Sequence, residues 1–542
     1  MSETIKKWLK SKSNFAFLLI IILSVCVNLY YFSKTSQQAL WWDEADYMAY
    51  AKNLAGLPVN WVVTAKHNSL YPFIAALFFK LGASELLVKF FLQFLPTVGT
   101  VILSGLLARK MYQDNRVSVI VSFIIACLWT LLFNASRFHV DTLALFFGIT
   151  SIFVFWQGYE KQEKIFRRFD KKWAIPLTIL FVVLTYAVRR GYIIFGAFFA
   201  IYIFSTRKIH HLLKDKYNWI GLTIAIALFL FVESWIFSSG LGSISGEYYH
   251  QENQINFLPL QVFGAFFNNP YSSALSILTY LFWIGLISTI VKLSLSFGHI
   301  NSSEESKSDL FNIISIAVTL ALFIFILRTP GTFGEARWYL PLALSSCILI
   351  AKPSMFIAKF LESKKKNLGI FVVAILIVYG GYYELKYNHD LIEQKLTSFD
   401  AIHKTGELIK ESSSPNEKIL GLPAPQLAFY SERSVYRPRD LLGINDTNNV
   451  PFDPVLEKIK SDPDLRYIVI SFSEPNHPDW MRNNDANIQQ TGIMSIPFTN
   501  TTINLQTGKQ EIKQEVYYGK VSFKLVKIEQ EVFIYEINHI SA

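Results

Sequence analysis

The chain has 542 residues, 52% hydrophobic and 15% aromatic, with a formal charge of +10. That length allows more than one folding unit, and up to about residue 385 the sequence is a series of Phe-, Ile- and Leu-rich apolar runs before turning into an ordinary polar and apolar mixture. The runs have the ~17 to 25 residues a helix needs to cross a ~30 Å hydrocarbon core; no globular core needs so many, so the chain reads as a polytopic α-helical membrane protein.

The first run, 15–32, is long for a signal-peptide core, and the Ser-Lys-Thr-Ser-Gln-Gln after it is a poor cleavage site. A retained helix over 14–32 is expected. Further crossings are expected near 85–108, 117–134, 140–157, 173–188, 191–205, 218–237, 271–291, 310–328, 337–351 and 368–385, about 11 in all. LYPFIAALFFKLGA (70–83) is too short to cross and reads as an interfacial helix. With the amino terminus inside, the inner loops carry 24 Lys and Arg and the outer loops 8, the asymmetry of the positive-inside rule. This argues for a cytoplasmic amino terminus in the cell (plasma) membrane and an extracytoplasmic carboxy-terminal domain. It also accounts for the basic charge without nucleic acid. Cys26, Cys127 and Cys347 all lie in apolar runs, and no disulfide is implied.

Two domains are expected: 1–389 in the membrane, with an acidic outer loop at 33–68, and 390–542 outside. In the second, KILGL (418–422), YIVIS (467–471), VSFKLV (521–526) and EVFIYEI (531–537) read as strands, and 400–412 and 453–461 as helices. The alternation predicts an α/β soluble domain. Asn445 and Asn500 begin N-x-T sequons.

The chemistry-bearing residues collect at helix ends on the outer side. ALWWDEADYMAY (39–50) holds Asp43, Glu44 and Asp46 just after the first crossing. Asp43 and Asp46, three apart at the start of a helical pattern, form a capping arrangement. Lys66 and His67 precede the interfacial helix, Arg137 and Asp141 lie in SRFHVDTLALFF, Arg189 and Arg190 interrupt an apolar stretch, and Arg328, Glu335 and Arg337 do so again further on. Ionisable groups at membrane depth are costly and mark functional candidates, whereas arginines at helix ends also snorkel towards headgroups. Acids beside cations at a bilayer surface suit sugar transfer from a lipid phosphate: cations hold the phosphate, and a carboxylate takes a proton from the acceptor. A non-enzymatic transporter or an envelope-assembly scaffold with an external binding domain is the alternative class. Metal-ligand spacing is absent; Asp43, Glu44, His67 and His139 meet a divalent cation only if the fold brings them together.

The order of these elements resembles the GT-C membrane glycosyltransferases of the protein O-mannosyltransferase and aminoarabinose transferase superfamily. An acidic pair follows the first helix, then come HNSLYPFIAALFFKLGAS, an acid at a helix start, YAVRRGYIIF and EARWYLPLAL. Where the family often has Pro-Pro before Leu-Tyr, this chain has Asn68-Ser69. The resemblance implies a GT-C type fold and a polyprenyl (dolichyl)-phosphate-linked sugar donor. It also implies a protein, lipid or surface-polymer (polysaccharide) acceptor. It assigns Asp43 as catalytic acid/base, Glu44 as its neighbour, Asp141 as second acid, and Arg189 or Arg190 with Arg337 as phosphate contacts. Lys66, His67, Arg137 and Glu335 belong to the same expected substrate-binding set, and Asp46 is expected to cap the helix.

Overall fold

The computed structural model describes residues 10–61, 69–207, 214–236, 276–296, 303–321, 336–444, 450–474 and 477–540. They form two compact units: one of Met1–Ser36, Asn68–Tyr71 and Glu85–Leu396, the other of Gln37–His67, Pro72–Ser84 and Thr397–Ala542. The acidic segment after the first helix thus groups with the carboxy-terminal residues.

The first unit is helical. Among its described residues, eight helices are long and apolar enough to cross a membrane: Lys12–Lys34, Glu85–Tyr112, Val140–Glu160, Lys171–Val188, Lys216–Trp235, Ile277–Leu295, Arg337–Glu362 and Leu368–Lys395. A ninth arises if Asn115–Cys127 and Trp129–Ala135, bent by 51°, count as one span. The remaining two expected crossings are also helical: Arg190–Thr206 is shorter, and Glu304–Ala321 opens with several charges and is described only to residue 321.

The bend falls at Leu128, whose extended backbone (ψ 114°) interrupts the ladder. The Trp129 N–H this exposes is taken by the Glu384 carboxylate at 3.2 Å, from the helix Leu368–Lys395. An unpaired N–H in a water-poor interior would cost about 1–3 kcal/mol, so a buried acid 255 residues away completes the break. Elsewhere small residues permit close helix approach. At Gly285 an added Cβ would stand 1.8 Å from the Leu349 carbonyl oxygen, so Ile277–Leu295 and Ala343–Glu362 meet backbone to backbone there.

The second unit contains nine strands among its described residues: β1 Lys418–Leu422, β2 Ser434–Tyr436, β3 Leu465–Ser471, β4 Ile493–Ile496, β5 Thr501–Asn504, β6 Gln510–Glu511, β7 Glu515–Tyr518, β8 Val521–Glu529 and β9 Val532–His539. A six-stranded sheet has the order β2-β1-β3-β9-β8-β7, parallel among β2, β1 and β3 and antiparallel from β3 onward. The parallel part needs crossover helices, supplied by Ala424–Ser431 and Phe452–Ser461. The core joins Leu420, Ile468, Ile470, Phe523, Phe533 and Tyr535 to Val455 and Ile459 of the second crossover. The four expected strands and two expected helices are all present; the short β2 and β7 and the separate sheet β4-β5-β6 are additions. Asn500 is exposed with a left-handed backbone (φ 52°), and Asn445 lies outside the described residues.

In this unit the helix Trp42–Ala55 begins on Trp41, not on an acid, and Trp41 makes no side-chain cap. It stops at Gly56, whose φ of 79° suits a residue without Cβ. Trp41 and Trp42 pack edge-on against Phe399 at 5.9 and 6.0 Å, the Leu40 N–H donates to Tyr430 Oη at 2.7 Å, and Lys52 Nζ lies 4.0 Å from the Phe429 ring centre. The strand of chain after Gly56 folds back on the helix, because Trp61 is bonded twice: Asn53 donates to its carbonyl at 2.7 Å, and its indole N–H donates to Asp46 at 2.5 Å. Leu70–Lys80, whose Leu70 and Tyr71 group with the first unit, is the expected short apolar helix.

Candidate active site

Four helix ends of the first unit come together around Asp141. Its helix, Val140–Phe155, starts on His139, so Asp141 is in the first turn, where the helix dipole favours a carboxylate. The side chain is completely buried. The helix Ala174–Val188 ends beside it; Arg189 leaves in extended conformation (φ −146°), and Arg190 opens the 3-10 turn Arg190–Ile193. This geometry turns Arg189 onto the acid: Nη1 donates to Asp141 Oδ2 at 2.7 Å, and Tyr192 Oη donates to Oδ1 at 3.3 Å. Both carboxylate oxygens are therefore occupied by donors.

A second cation arrives from the 3-10 segment Ala336–Leu342. Arg337 Nη1 lies 2.7 Å from His139 Nδ1. A guanidinium only donates, so Nδ1 is the acceptor and the ring proton of this imidazole sits on Nε2. The His139 carbonyl is held by Gln93 Nε2 at 2.7 Å, and the same amide donates to Tyr71 Oη, the tyrosine of the Leu-Tyr-Pro stretch. Gln93 belongs to the π-helical turn Phe90–Phe94, a distortion that re-aims side chains and recurs at functional sites. Tyr71 also packs on Phe138 at 4.6 Å. Arg137 is buried with its guanidinium 4.5 Å from the Phe133 ring centre.

Asp141, Arg189 and Arg337 thus belong to one network, linked through the consecutive stretch His139–Asp141, while Arg137 and Arg190 lie at its chain-neighbour positions. Tyr192, Gln93 and Tyr71 carry no role in the sequence reading; Tyr71 and Tyr192 do lie in the quoted stretches HNSLYPFIAALFFKLGAS and YAVRRGYIIF, whereas Gln93 leaves no signal there. In the second unit Asp43 is half-buried and Glu44 buried, both in the first turn of Trp42–Ala55. The expectation that Asp46 caps this helix is corrected: it lies in the second turn, too far along to reach the free N–H groups, and its carboxylate is engaged by Trp61. Lys66, His67, Arg328 and Glu335 lie outside the described residues. Among those described, no group of three or more His, Cys, Asp or Glu is arranged to hold a metal ion.

No family model matches the sequence, and no curated protein matches it. Solved structures do. ArnT from Cupriavidus metallidurans bound to undecaprenyl phosphate superposes with a TM-score of 0.57 over 97% of this chain and 98% of that one, at 10% identity. The fold is that of the GT-C glycosyltransferases. Oligosaccharyltransferase AglB from Archaeoglobus fulgidus, in complex with an inhibitory peptide and a dolichol-phosphate, shares it with a TM-score of 0.56 over 86% of this chain and 70% of that one, at 11% identity. Mycobacterial arabinofuranosyltransferase AftD gives 0.52 over 96% and 40%, also at 11%. At such identities the likeness is one of GT-C architecture: a multi-pass helical membrane part and a carboxy-terminal sheet domain.

Proposed function

We propose that this chain is an integral-membrane glycosyltransferase that moves a sugar from a polyprenyl-phosphate-linked donor to a protein, lipid or surface-polymer acceptor. The observation that carries the reading is the meeting of Asp141, Arg189, His139 and Arg337 at apposed helix ends of a GT-C fold. Two of the similar proteins are known with undecaprenyl phosphate or dolichol-phosphate, which supports a lipid phosphate as the carrier here. The Lys/Arg bias supports an amino terminus in the cytoplasm and chemistry outside the plasma membrane. The domain division follows the same reading, with 1–389 in the membrane and 390–542 outside.

In the proposed reaction an acceptor hydroxyl or amine attacks the anomeric carbon, and the bond from that carbon to the phosphate oxygen breaks. The electron pair leaves with the phosphate, whose growing charge the guanidinium groups of Arg189, Arg190 and Arg337 stabilise. Asp43 takes the acceptor proton, the role its place in the family order implies, and Glu44 orients it. Asp141 holds Arg189 in position. Lys66, His67, Arg137 and Glu335 are proposed to complete the substrate contacts.

Asp43→Asn keeps the size of the side chain and removes its basicity. Loss of a general base costs ~10² to 10⁴ in rate, so the purified, folded variant should transfer little sugar from a polyprenyl-phosphate donor. Asp46→Asn, which can still accept from Trp61, should keep most of the activity. Full transfer by Asp43→Asn at matched stability would end the assignment.

A further inference from the structure

The segment between the spans Val140–Glu160 and Lys171–Val188 is built in an unusual way for a short connection. Residues 161–173 read KQEKIFRRFDKKW. Ile165 is buried with Val154 and Ala174 and pins the segment to the helices, whereas every residue from Phe166 to Trp173 is exposed. Ile165 and Phe169 are bonded backbone to backbone at 2.9 and 3.0 Å, and Arg168 N–H closes the turn on the Ile165 carbonyl. Inside that turn Phe166 (φ 48°) and Arg167 (φ 61°) are both left-handed. Tight turns of this kind normally take Asn and Gly. Non-glycine residues held there are strained, and such strain clusters at functional sites, ligand clamps among them.

The charges are distributed to match. Lys161 pairs with Glu304 and Glu163 with Lys110, while Asp170 accepts the Lys172 backbone N–H at 3.0 Å. Lys164, Arg167, Arg168, Lys171 and Lys172 make no ion pair with another described residue. Beside these five cations Phe166, Phe169 and Trp173 expose 42%, 47% and 42% of their surface. Both ends of the segment are helices long and apolar enough to cross a membrane, which puts a tip this short at the level of the headgroups. Rings at the hydrocarbon boundary with Lys and Arg among the phosphates are the two signals that together hold a surface on an anionic leaflet.

We infer that residues 164–173 are a docking surface for anionic phospholipid headgroups, which gather around this loop and fix the depth of the adjoining helices. The inference is independent of the catalytic reading. The occupant is a bilayer phosphodiester: planar guanidinium groups bind phosphate in a fork, and the neighbouring rings have an apolar layer to enter.

The test uses the full chain in phosphatidylcholine vesicles containing a minor fraction of brominated phosphatidylglycerol or, equally, brominated phosphatidylcholine. Bromine quenches nearby indoles, and the difference between the wild type and Trp173→Phe isolates Trp173. At low salt the anionic lipid should quench more strongly. At ~1 M salt, where the screening length falls to about 3 Å, the preference should vanish. Each charge removed in Lys164→Gln, Arg167→Gln and Arg168→Gln should weaken it by about fivefold at most. Phe166→Asn with Arg167→Gly keeps the turn, relieves its strain and should lose part of the preference. Equal quenching by the two lipids at low salt would overturn the inference, as would a preference that survives high salt. The salt comparison uses the native chain and so holds even where a variant fails to fold.

Discussion

Asp141 has no exposure to solvent and two donors on its oxygens, so its carboxyl group is held in place by Arg189 and Tyr192. Removing one partner of a buried pair costs more than removing both, because the survivor is left in dry surroundings. The Arg189 side chain keeps 22% exposure, so the loss in Asp141→Asn should be modest, about 1–3 kcal/mol. The double variant Asp141→Asn/Arg189→Gln should regain part of that stability while transfer stays low. Unfolding midpoints in detergent beside transfer rates would check this; a double variant with restored transfer would make the pair purely structural. His477, in the second unit, gives a prediction in pH. Its Nε2–H donates to the Ser471 carbonyl at 3.0 Å, and burial, aided by the Arg482 charge, lowers its pKa to about 3. An unfolded histidine titrates near 6.5. Between those values the unfolded chain binds the extra proton, so stability is complete above pH ~6.5 and falls as the pH drops towards 3. The full effect is on the order of 4–5 kcal/mol. His477→Gln, which keeps a donor at that place, should flatten the pH dependence of the second unit's unfolding; an unchanged slope would assign it to other groups.

At the scale of elements, the break at Leu128 sets where the chain leading to Arg137, His139 and Asp141 begins. The half-helix Trp129–Ala135 runs directly into that stretch, and its first N–H rests on Glu384. Glu384→Gln retains an acceptor and should be mild. Glu384→Leu orphans the N–H and should cost about 1–3 kcal/mol, with transfer falling further than in Glu384→Gln at a temperature where both are folded. Equal transfer in the two variants would separate the break from the site. The helix Trp42–Ala55 teaches a related lesson. Three acids near a helix start suggest a cap, yet Asp46 belongs to a tertiary bond with Trp61, fifteen residues on, created by the reversal after Gly56.

At the scale of the whole molecule, the 24-to-8 division of Lys and Arg predicts that a reporter fused after residue 400 will be extracytoplasmic. A cytoplasmic signal would reverse the proposed side of the reaction. The exposed basic tip at 164–173 carries five of those 24 Lys and Arg.

Much of this architecture was determined by the sequence alone. Hydrocarbon thickness sets a run length that any crossing helix must meet, so the spans are legible one by one, and charged residues stand out against an apolar background, which is how Asp141, Arg189 and Arg337 were found. Strands of the carboxy-terminal unit were legible wherever an alternating or apolar run was long enough, as in β3, β8 and β9. The rest came from long-range packing. Gln93, Tyr71 and Tyr192 reach the site from separate parts of the chain. Leu128 breaks a helix with neither Pro nor Gly beside it, and Asp46 gives up a cap for Trp61. The reason is physical: hydropathy and helical spacing report forces among residues a few positions apart. A buried donor, by contrast, is satisfied by whichever acceptor packing brings near, and packing pairs residues that are hundreds of positions apart in the chain.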